Sequence, residues 1–148
     1  MILPRESIKN IERRGKSQFV NKKQAIFLTE NLIPNMWETL KHWDGVGLTA
    51  CQVGMFYKLS IYRIGDKKVV FFNGGYTGLK NKKQEFEGCL TYPKHDHIRV
   101  RRFKTILATY DTLNGDGEFT RVRQKLSGFE ARVFQHETDH QNGKTIYM

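Results

Sequence analysis

Between Lys22 and Trp43 the apolar residues Ala25, Leu28, Leu32, Met36, Leu40 and Trp43 recur at steps of three and four. That spacing puts side chains on one face of a helix. Pro34 falls inside the run; lacking an amide hydrogen and clashing with the preceding turn, it predicts a kink or the first turn of a second helix. Beyond Trp43 the pattern changes to short runs rich in β-branched and aromatic residues: YKLSIYRI (57–64), KVVFFN (68–73), RFKTILATY (102–110) and EFTRVRQ (118–124). The turn residues of IGDKK and LNGDGE separate the members of each pair, which predicts hairpins in a largely antiparallel sheet.

The C-terminal segment returns to helical spacing. In SGFE, Ser127 can cap the amide of Glu130 while Glu130 reaches back, the pattern of a capping box. A helix begun there carries Phe129, Val133, His136 and His140 on one stripe, so both histidines point into the fold. No stretch reads as a linker, repeat or low-complexity tract. The expected fold is α+β: mainly antiparallel sheets packed around a C-terminal helix, with an N-terminal helix, in one domain spanning residues 1–148.

Composition supports a folded chain, with 39% hydrophobic and 12% aromatic residues. No apolar run is long enough to span a bilayer and the polar start has no secretory core, so a soluble, cytoplasmic protein with no membrane contact is expected. The net charge of +10 and a pI near 9.7 imply attraction to polyanions. Basic clusters recur at Lys22–Lys23, Lys67–Lys68, Lys80–Lys83, Arg99–Lys104 and Arg121–Lys125. No recognised RNA- or DNA-binding motif accompanies them, which leaves a solvated basic surface and a nucleic-acid contact both open and gives no ground for specific DNA binding. The two cysteines, Cys51 and Cys89, are not expected to pair in an unexported domain of this length.

The chemistry concentrates in HETDH, residues 136–140, where two histidines four apart flank a glutamate. On a helix that pattern aims two imidazoles at one metal and offers the carboxylate as a general base. Two hydrogen-bonded core histidines are the plainer alternative. Catalytic sites of this type keep three protein ligands and one open position. Gly143 stands where the metzincin pattern has its glycine, but Ile146 occupies the place of the third histidine, and nothing after His140 is His, Asp, Glu or Cys. The third ligand is therefore expected upstream, among Cys51, Cys89, His42, His95, His97 and the acids. Cys89 stands out in EGCLTYP, where Gly88 permits close backbone approach and Pro93 ends the segment. A thiolate with two imidazoles suits zinc or ferrous iron. Cys51 lies in a second glycine-bearing segment, GVGLTACQVG, beside the amide of Gln52.

Taken together GVGLTACQ, EGCLT and QHETDH resemble the three signature motifs of the peptide deformylases, which read G-x-G-L-A-A-x-Q, E-G-C-L-S and Q-H-E-x-D-H in that order. The resemblance runs from about Asn31 to Gly143 and includes NMWETLKHWDGVGL. Thr49 stands for the family's Ala, Thr91 for its Ser, and Gln141 for the usual Leu after the second histidine. These departures are expected to bear on packing and substrate fit more than on chemistry. The chain also lacks the C-terminal extension of typical bacterial members, similar to short forms found in some phages.

The resemblance implies that Cys89, His136 and His140 hold one divalent ion, Fe2+ in the cell, with Zn2+, Ni2+ or Co2+ as other occupants. It implies Glu137 as general base and acid, and Gln52 with the Leu90 backbone N–H as donors to the oxyanion. Gly45, Val46 and Gly47 would line a peptide laid alongside as an added strand, although a tight turn after the helix needs the same glycines. An apolar pocket from Val46, Phe129 and Val133 would take the formyl-methionine side chain, with Glu87 and Gly88 also against the substrate. Arg102 and Arg132 either pair with Glu87 or sit on the basic surface, and Asp139 either orients a ligand histidine or is solvated. The implied partners are N-formylated nascent peptides, with electrostatic association with ribosomes. Two other readings fit parts of the pattern: an HExxH metallopeptidase, and a structural zinc module of Cys51, Cys89, His136 and His140 on a basic nucleic-acid-binding domain.

Overall fold

The computed structural model describes residues 1–89 and 97–146. The amphipathic run of Lys22 to Trp43 forms two helices, α2 (Lys22–Asn31) and α3 (Ile33–His42), preceded by α1 (Ile8–Arg14). Leu32 joins α2 to α3 and Pro34 lies in the first turn of α3, where a missing amide hydrogen costs nothing. Asn21 and Gln24 close a reciprocal capping box that starts α2.

The strand runs form a five-stranded antiparallel sheet, ordered β1-β2-β3-β6-β7. Its strands are β1 (Gly47–Thr49), β2 (Leu59–Ile64), β3 (Lys67–Gly78), β6 (Thr105–Leu113) and β7 (Phe119–Ser127). Both expected hairpins are present: β2 turns into β3 through Gly65 and Asp66, and β6 turns into β7 through the Asn114–Glu118 loop. Gly65 and Gly117 adopt the positive φ that these turns require. A separate two-stranded sheet pairs β4 (Lys82–Glu87) with β5 (Ile98–Phe103). The run RFKTILATY is thus two strands rather than one. Its break is at Lys104, whose amide bonds to the Asn81 carbonyl as the chain passes between sheets. The charged β4 and the short α1 carry too little apolar periodicity to be anticipated.

The large sheet is covered on both faces, which explains its nearly continuous apolar runs. Alternate residues serve different cores: Leu59, Ile61 and Phe72 pack with Leu28, Met36 and Leu40 of α2 and α3. Tyr62, Phe71, Ile106 and Ala108 pack against Ala131 and Phe134 of α4 (Gly128–Gln141) on the other face. Phe71 stacks on Phe134 with centroids 4.4 Å apart.

The start of α4 differs from expectation. The Ser127 side chain makes no cap bond. Its hydroxyl is engaged with Thr105 Oγ1 at 3.1 Å across the β6–β7 ladder, and Glu130 accepts from Tyr62 and Lys67 instead of reaching back. Cross-strand and tertiary partners have displaced the local cap, and Gly128, with φ 65°, makes the turn from strand to helix. The helix is buried far beyond one stripe: Gln135, Thr138 and Gln141 are covered as well as Val133, His136 and His140, whereas Phe129 is exposed.

Candidate active site

Three chain segments meet at the site: β1 with the 3-10 turn Ala50–Val53 after it, the segment leaving β4 through Gly88 and Cys89, and α4. They bring the Cys89 thiol and the two ring nitrogens of His136 and His140 within 4.8 Å of one another, all buried. The two histidine Nε2 atoms are 3.0 Å apart, and Cys89 Sγ is 3.5 Å from Nε2 of His140.

The outer nitrogens decide what this cluster can hold. His136 Nδ1 lies 2.8 Å from a Glu87 carboxylate oxygen, and His140 Nδ1 lies 3.0 Å from the Lys144 carbonyl. Both partners accept, so both Nδ1 atoms donate, leaving each neutral ring with its lone pair on Nε2. Two lone pairs and a sulfur facing one another repel unless a cation lies among them. Ligand bonds of about 2.0–2.3 Å in a tetrahedron place donor atoms roughly 3.3–3.6 Å apart, close to the spacing seen. The donor set therefore fits a divalent ion. Burial would raise the Cys89 thiol, but His140 and His136 pull it well below the ordinary thiol range, which favours the thiolate that a metal ligand requires. Burial would likewise lower His136, yet its bonds to Cys89 and Glu87 hold it above the usual imidazole range.

Glu87 is the anchor of the surroundings. Arg102 grips both its oxygens at 3.1 Å, Arg132 bonds Oε2, and His136 takes Oε1. Burial raises its carboxyl, but His136 and Arg102 outweigh burial and hold it down at about 2. Expected against substrate, Glu87 lies in the pocket wall with both oxygens engaged in this way. Arg102 and Arg132 are thus both on Glu87 and not merely on a basic surface. Asp139 accepts from Arg102 at 2.6 Å and from the Tyr76 hydroxyl at 2.8 Å, so it reaches the ligands only through Arg102 and Glu87.

Glu137 is nearly fully buried, with Oε1 accepting from the Thr49 hydroxyl at 2.9 Å. Burial raises its carboxyl above the usual range, partly offset by His136 and His140. Gly47 makes room for it, since a Cβ there would lie 2.6 Å from Oε2. The Gln52 amide is oriented by the Thr49 backbone N–H, which donates to Oε1 at 2.8 Å, and its Nε2 reaches Cys89 Sγ at 3.5 Å.

These groups open on a cavity of about 450 Å³. Gly45, Val46 and Gly47 line one wall, Glu87 and Gly88 the opposite one, and Val133 and Phe129 belong to α4. Val46 and Phe129 are exposed at 40% and 58%, so they form rim rather than floor, and Val133 is buried. Trp43 and Phe86 join the lining without any signal in the spacing of the motifs, and His97, one of the candidate third ligands, lies in the lining but not in the cluster of Cys89, His136 and His140. Leu90, Thr91, Pro93 and His95 lie outside the described residues, so the expected Leu90 N–H donor is not placed.

Cys51 is turned away from the ligands: its thiol donates to the His140 carbonyl at 3.4 Å, and burial pushes its pKa far up. It is a free, buried cysteine, which removes the fourth ligand of a closed zinc module. Among the described residues Cys89, His136 and His140 form the one cluster able to hold a metal, and no helix is long and apolar enough to cross a membrane.

The arrangement has relatives. Peptide deformylases from Thermotoga maritima and Clostridium acetobutylicum are 39% and 37% identical to this chain over 121 and 130 residues. Those matches cover 79% and 88% of this chain and 71% and 82% of theirs. The crystal structure of the Thermotoga maritima peptide deformylase superposes with a TM-score of 0.85 at 32% identity, covering 99% of this chain and 96% of that one. An actinonin-bound class I type b peptide deformylase from Acinetobacter baumannii gives 0.84 at 26% identity, covering 99% and 97%. The family described as polypeptide deformylase matches residues 10–148, and with these relatives it shows that the chain belongs to the peptide deformylases, metalloenzymes that remove formyl groups from nascent peptides.

Proposed function

We propose that this chain, as one catalytic domain over residues 1–148, hydrolyses the N-formyl group of formyl-methionyl peptides at the Cys89, His136 and His140 site and releases formate. The observation that carries the reading is the Glu137 carboxylate, held by Thr49, lining the same cavity of about 450 Å³ as Cys89 and His136 of the three-residue cluster. A divalent ion held there supplies Lewis acidity that brings a water's pKa toward neutrality. Glu137 takes the proton of the attacking water and returns it to the departing amine, a task suited to a carboxyl whose pKa is raised by burial. The Gln52 amide, fixed through Thr49, and the Leu90 N–H donate to the oxyanion as charge develops.

The substrate reading follows from the sheet. Among the described residues β1 is an edge strand of the large sheet, paired only with β2, and its Gly47 lines the cavity. An extended peptide adds to such an edge by main-chain hydrogen bonds at Val46 and Gly47, with Gly45 leaving space. The opposite wall at Glu87 and Gly88 flanks it. The methionine side chain enters between Val133 and the rim residues Val46 and Phe129.

Glu137→Gln tests the mechanism: it should keep its metal and lose turnover of formyl-Met-Ala-Ser, and retained turnover would sink the assignment. Hydrolysis of an unblocked peptide would favour the metallopeptidase reading instead. Ferrous iron is the proposed cellular occupant, with zinc, nickel or cobalt able to replace it, and anaerobic metal analysis decides among them. The charge of +10 supports a cytoplasmic enzyme working against ribosomal RNA; its association with ribosomes should weaken steeply with salt, and salt-independent binding would refute that account.

A further inference from the structure

We propose that Thr49 is a positioning residue for Glu137, held in that role by a buried chain of hydrogen bonds through Ser60 and Gln141. The inference rests on the reading of Glu137 as the base and concerns what aims it.

Thr49 and Ser60 are directly opposed across β1 and β2, so their side chains share the sheet face that carries α4. Glu137 and Gln141 lie one helical turn apart on α4, above that pair. Thr49 Oγ1 is 2.9 Å from Glu137 Oε1 and 2.7 Å from Ser60 Oγ, and Gln141 Nε2 is 2.9 Å from Ser60 Oγ. The Gly74 N–H, available because the β3–β6 register shifts between Phe72 and Gly75, donates to Gln141 Oε1 at 2.9 Å. That bond fixes which end of the Gln141 amide meets Ser60. Glycine at 74 permits this close approach of strand and helix, since a Cβ there would lie 2.7 Å from Phe71 Cε2 and 2.8 Å from Thr138 Oγ1.

The direction of the chain follows from proton counting. Gln141 donates to Ser60, so Ser60 has its own proton left to give, and its neighbour is Thr49. Thr49 then has one proton, and Glu137, in the ionised form in which a base acts, can only accept it. If Thr49 donated to Ser60 instead, the Ser60 proton would be buried without an acceptor and the Thr49 lone pair would face a carboxylate at 2.9 Å. The Glu137 carbonyl, at 3.1 Å, can share the same proton, but it already accepts the amide of residue 141 in the helix and is neutral, so the shorter bond to the carboxylate Oε1 takes the larger part. Gln141, Ser60 and Thr49 thus all donate toward Oε1, each polarising the next. Oε1 is tethered, and Oε2 is left on the side of Gly47, facing the cavity.

Both ends of the chain fall where this sequence departs from the family pattern, Thr for Ala at 49 and Gln for Leu at 141. Each side chain is wholly buried and would be a liability alone. Ser60 makes them a matched pair, so the departures bear on the aim of the base as well as on packing.

The test uses the metal-loaded enzyme and formyl-Met-Ala-Ser. Thr49→Val keeps the shape and removes the hydroxyl; kcat should fall about ten- to a hundredfold, the size expected for one hydrogen bond to a charged group, with KM within about twofold. Thr49→Ser should restore kcat to within about threefold, and Ser60→Ala should lose less than Thr49→Val. The visible spectrum of the cobalt-loaded protein should be the same in all three. An unchanged kcat in Thr49→Val overturns the proposal, as does failure of Thr49→Ser to rescue, which would assign the effect to packing. A shifted cobalt spectrum overturns it too, because the hydroxyl would then be acting on the ligands. Should Thr49→Val not fold, an unchanged kcat in Ser60→Ala overturns it. Glu137→Gln separates the two levels: turnover there removes the base itself, whereas an inactive Glu137→Gln with a fully active Thr49→Val removes only Thr49.

Discussion

Arg102 is the cation that touches both Glu87 and Asp139, and replacing it by Met asks how much the site depends on that grip. Its side chain is 7% exposed, between carboxylates exposed at 8% and 23%. It donates through Nε and both terminal nitrogens, two bonds to Glu87 and one to Asp139. Removing one member of a buried ion pair costs about 3–5 kcal/mol, because the charge left behind has lost both water and partner. Here Arg132 and His136 still face Glu87, and Tyr76 still faces Asp139, so the low end applies, about 3 kcal/mol. In a chain of 148 residues each kcal/mol lowers the melting temperature by roughly 2–4 °C, which gives a fall of roughly 6–12 °C.

The same substitution loosens the carboxylate that orients His136. Groups that fix a ligand histidine from behind typically contribute about ten- to a hundredfold in metal affinity. Scanning fluorimetry of the zinc-loaded protein and competition with a chelator read the two effects. A fall of under about 2 °C with unchanged zinc affinity would refute the reasoning, since it would mean that the guanidinium does no more than an exposed pair does. The double variant Arg102→Met with Glu87→Gln sharpens the point. It removes both charges, so its loss of stability should be smaller than the sum of the two single losses by more than about 0.5 kcal/mol.

Three further outcomes follow from distances around the ligands. Gly47→Ala would place a Cβ 2.6 Å from Glu137 Oε2, so kcat should drop about a hundredfold, as for an ångström of misplacement, with bound metal unchanged by elemental analysis; full activity would contradict the packing. Cys51→Ala should keep stoichiometric metal and activity and cost about 1 kcal/mol or less in urea unfolding, because its thiol is protonated and bonded to a carbonyl; metal loss would revive the four-ligand module. Glu87 has its pKa depressed in the fold, so its contribution is complete above the ordinary carboxylate range and is lost as pH falls toward about 2. Between pH 5 and 3 the wild type should therefore lose melting temperature more steeply than Glu87→Gln, and parallel slopes would show that Glu87 is not the group responsible.

The parts of the fold legible in the sequence are those with short-range causes. Pro34 splits one amphipathic run into α2 and α3, and the glycine-bearing turns at 65 and 117 set both hairpins. Where two partners compete for one side chain, local pattern misleads. Ser127 and Glu130 have the spacing of a capping box, yet Thr105 takes the serine and Tyr62 with Lys67 takes the glutamate. Strand β4, KKQEFE, gains its place from pairing with β5 and from Phe86 and Arg99 stacking across the pair, which no period within six residues can reveal.

At the site, the motifs named three residues that the fold brings together: helical spacing alone joins His136 and His140, and the lack of a downstream donor pointed upstream, where the setting of Cys89 stood out. They could not show which polar residue faces which. Glu87 looked like a substrate contact, and for Arg102 a pairing with Glu87 stood beside a place on the basic surface; nothing in a sequence states that one guanidinium will bridge Glu87, its neighbour in the small sheet, and Asp139 on α4. Thr49 and Gln141 are 92 positions apart and each, taken singly, reads as a packing change. Only the register of β1 on β2 under α4 joins them through Ser60 and turns two isolated substitutions into one path ending on Glu137. A motif match therefore names the candidate reacting groups, while the proposed aim of Glu137 rests on polar residues that depart from the motif.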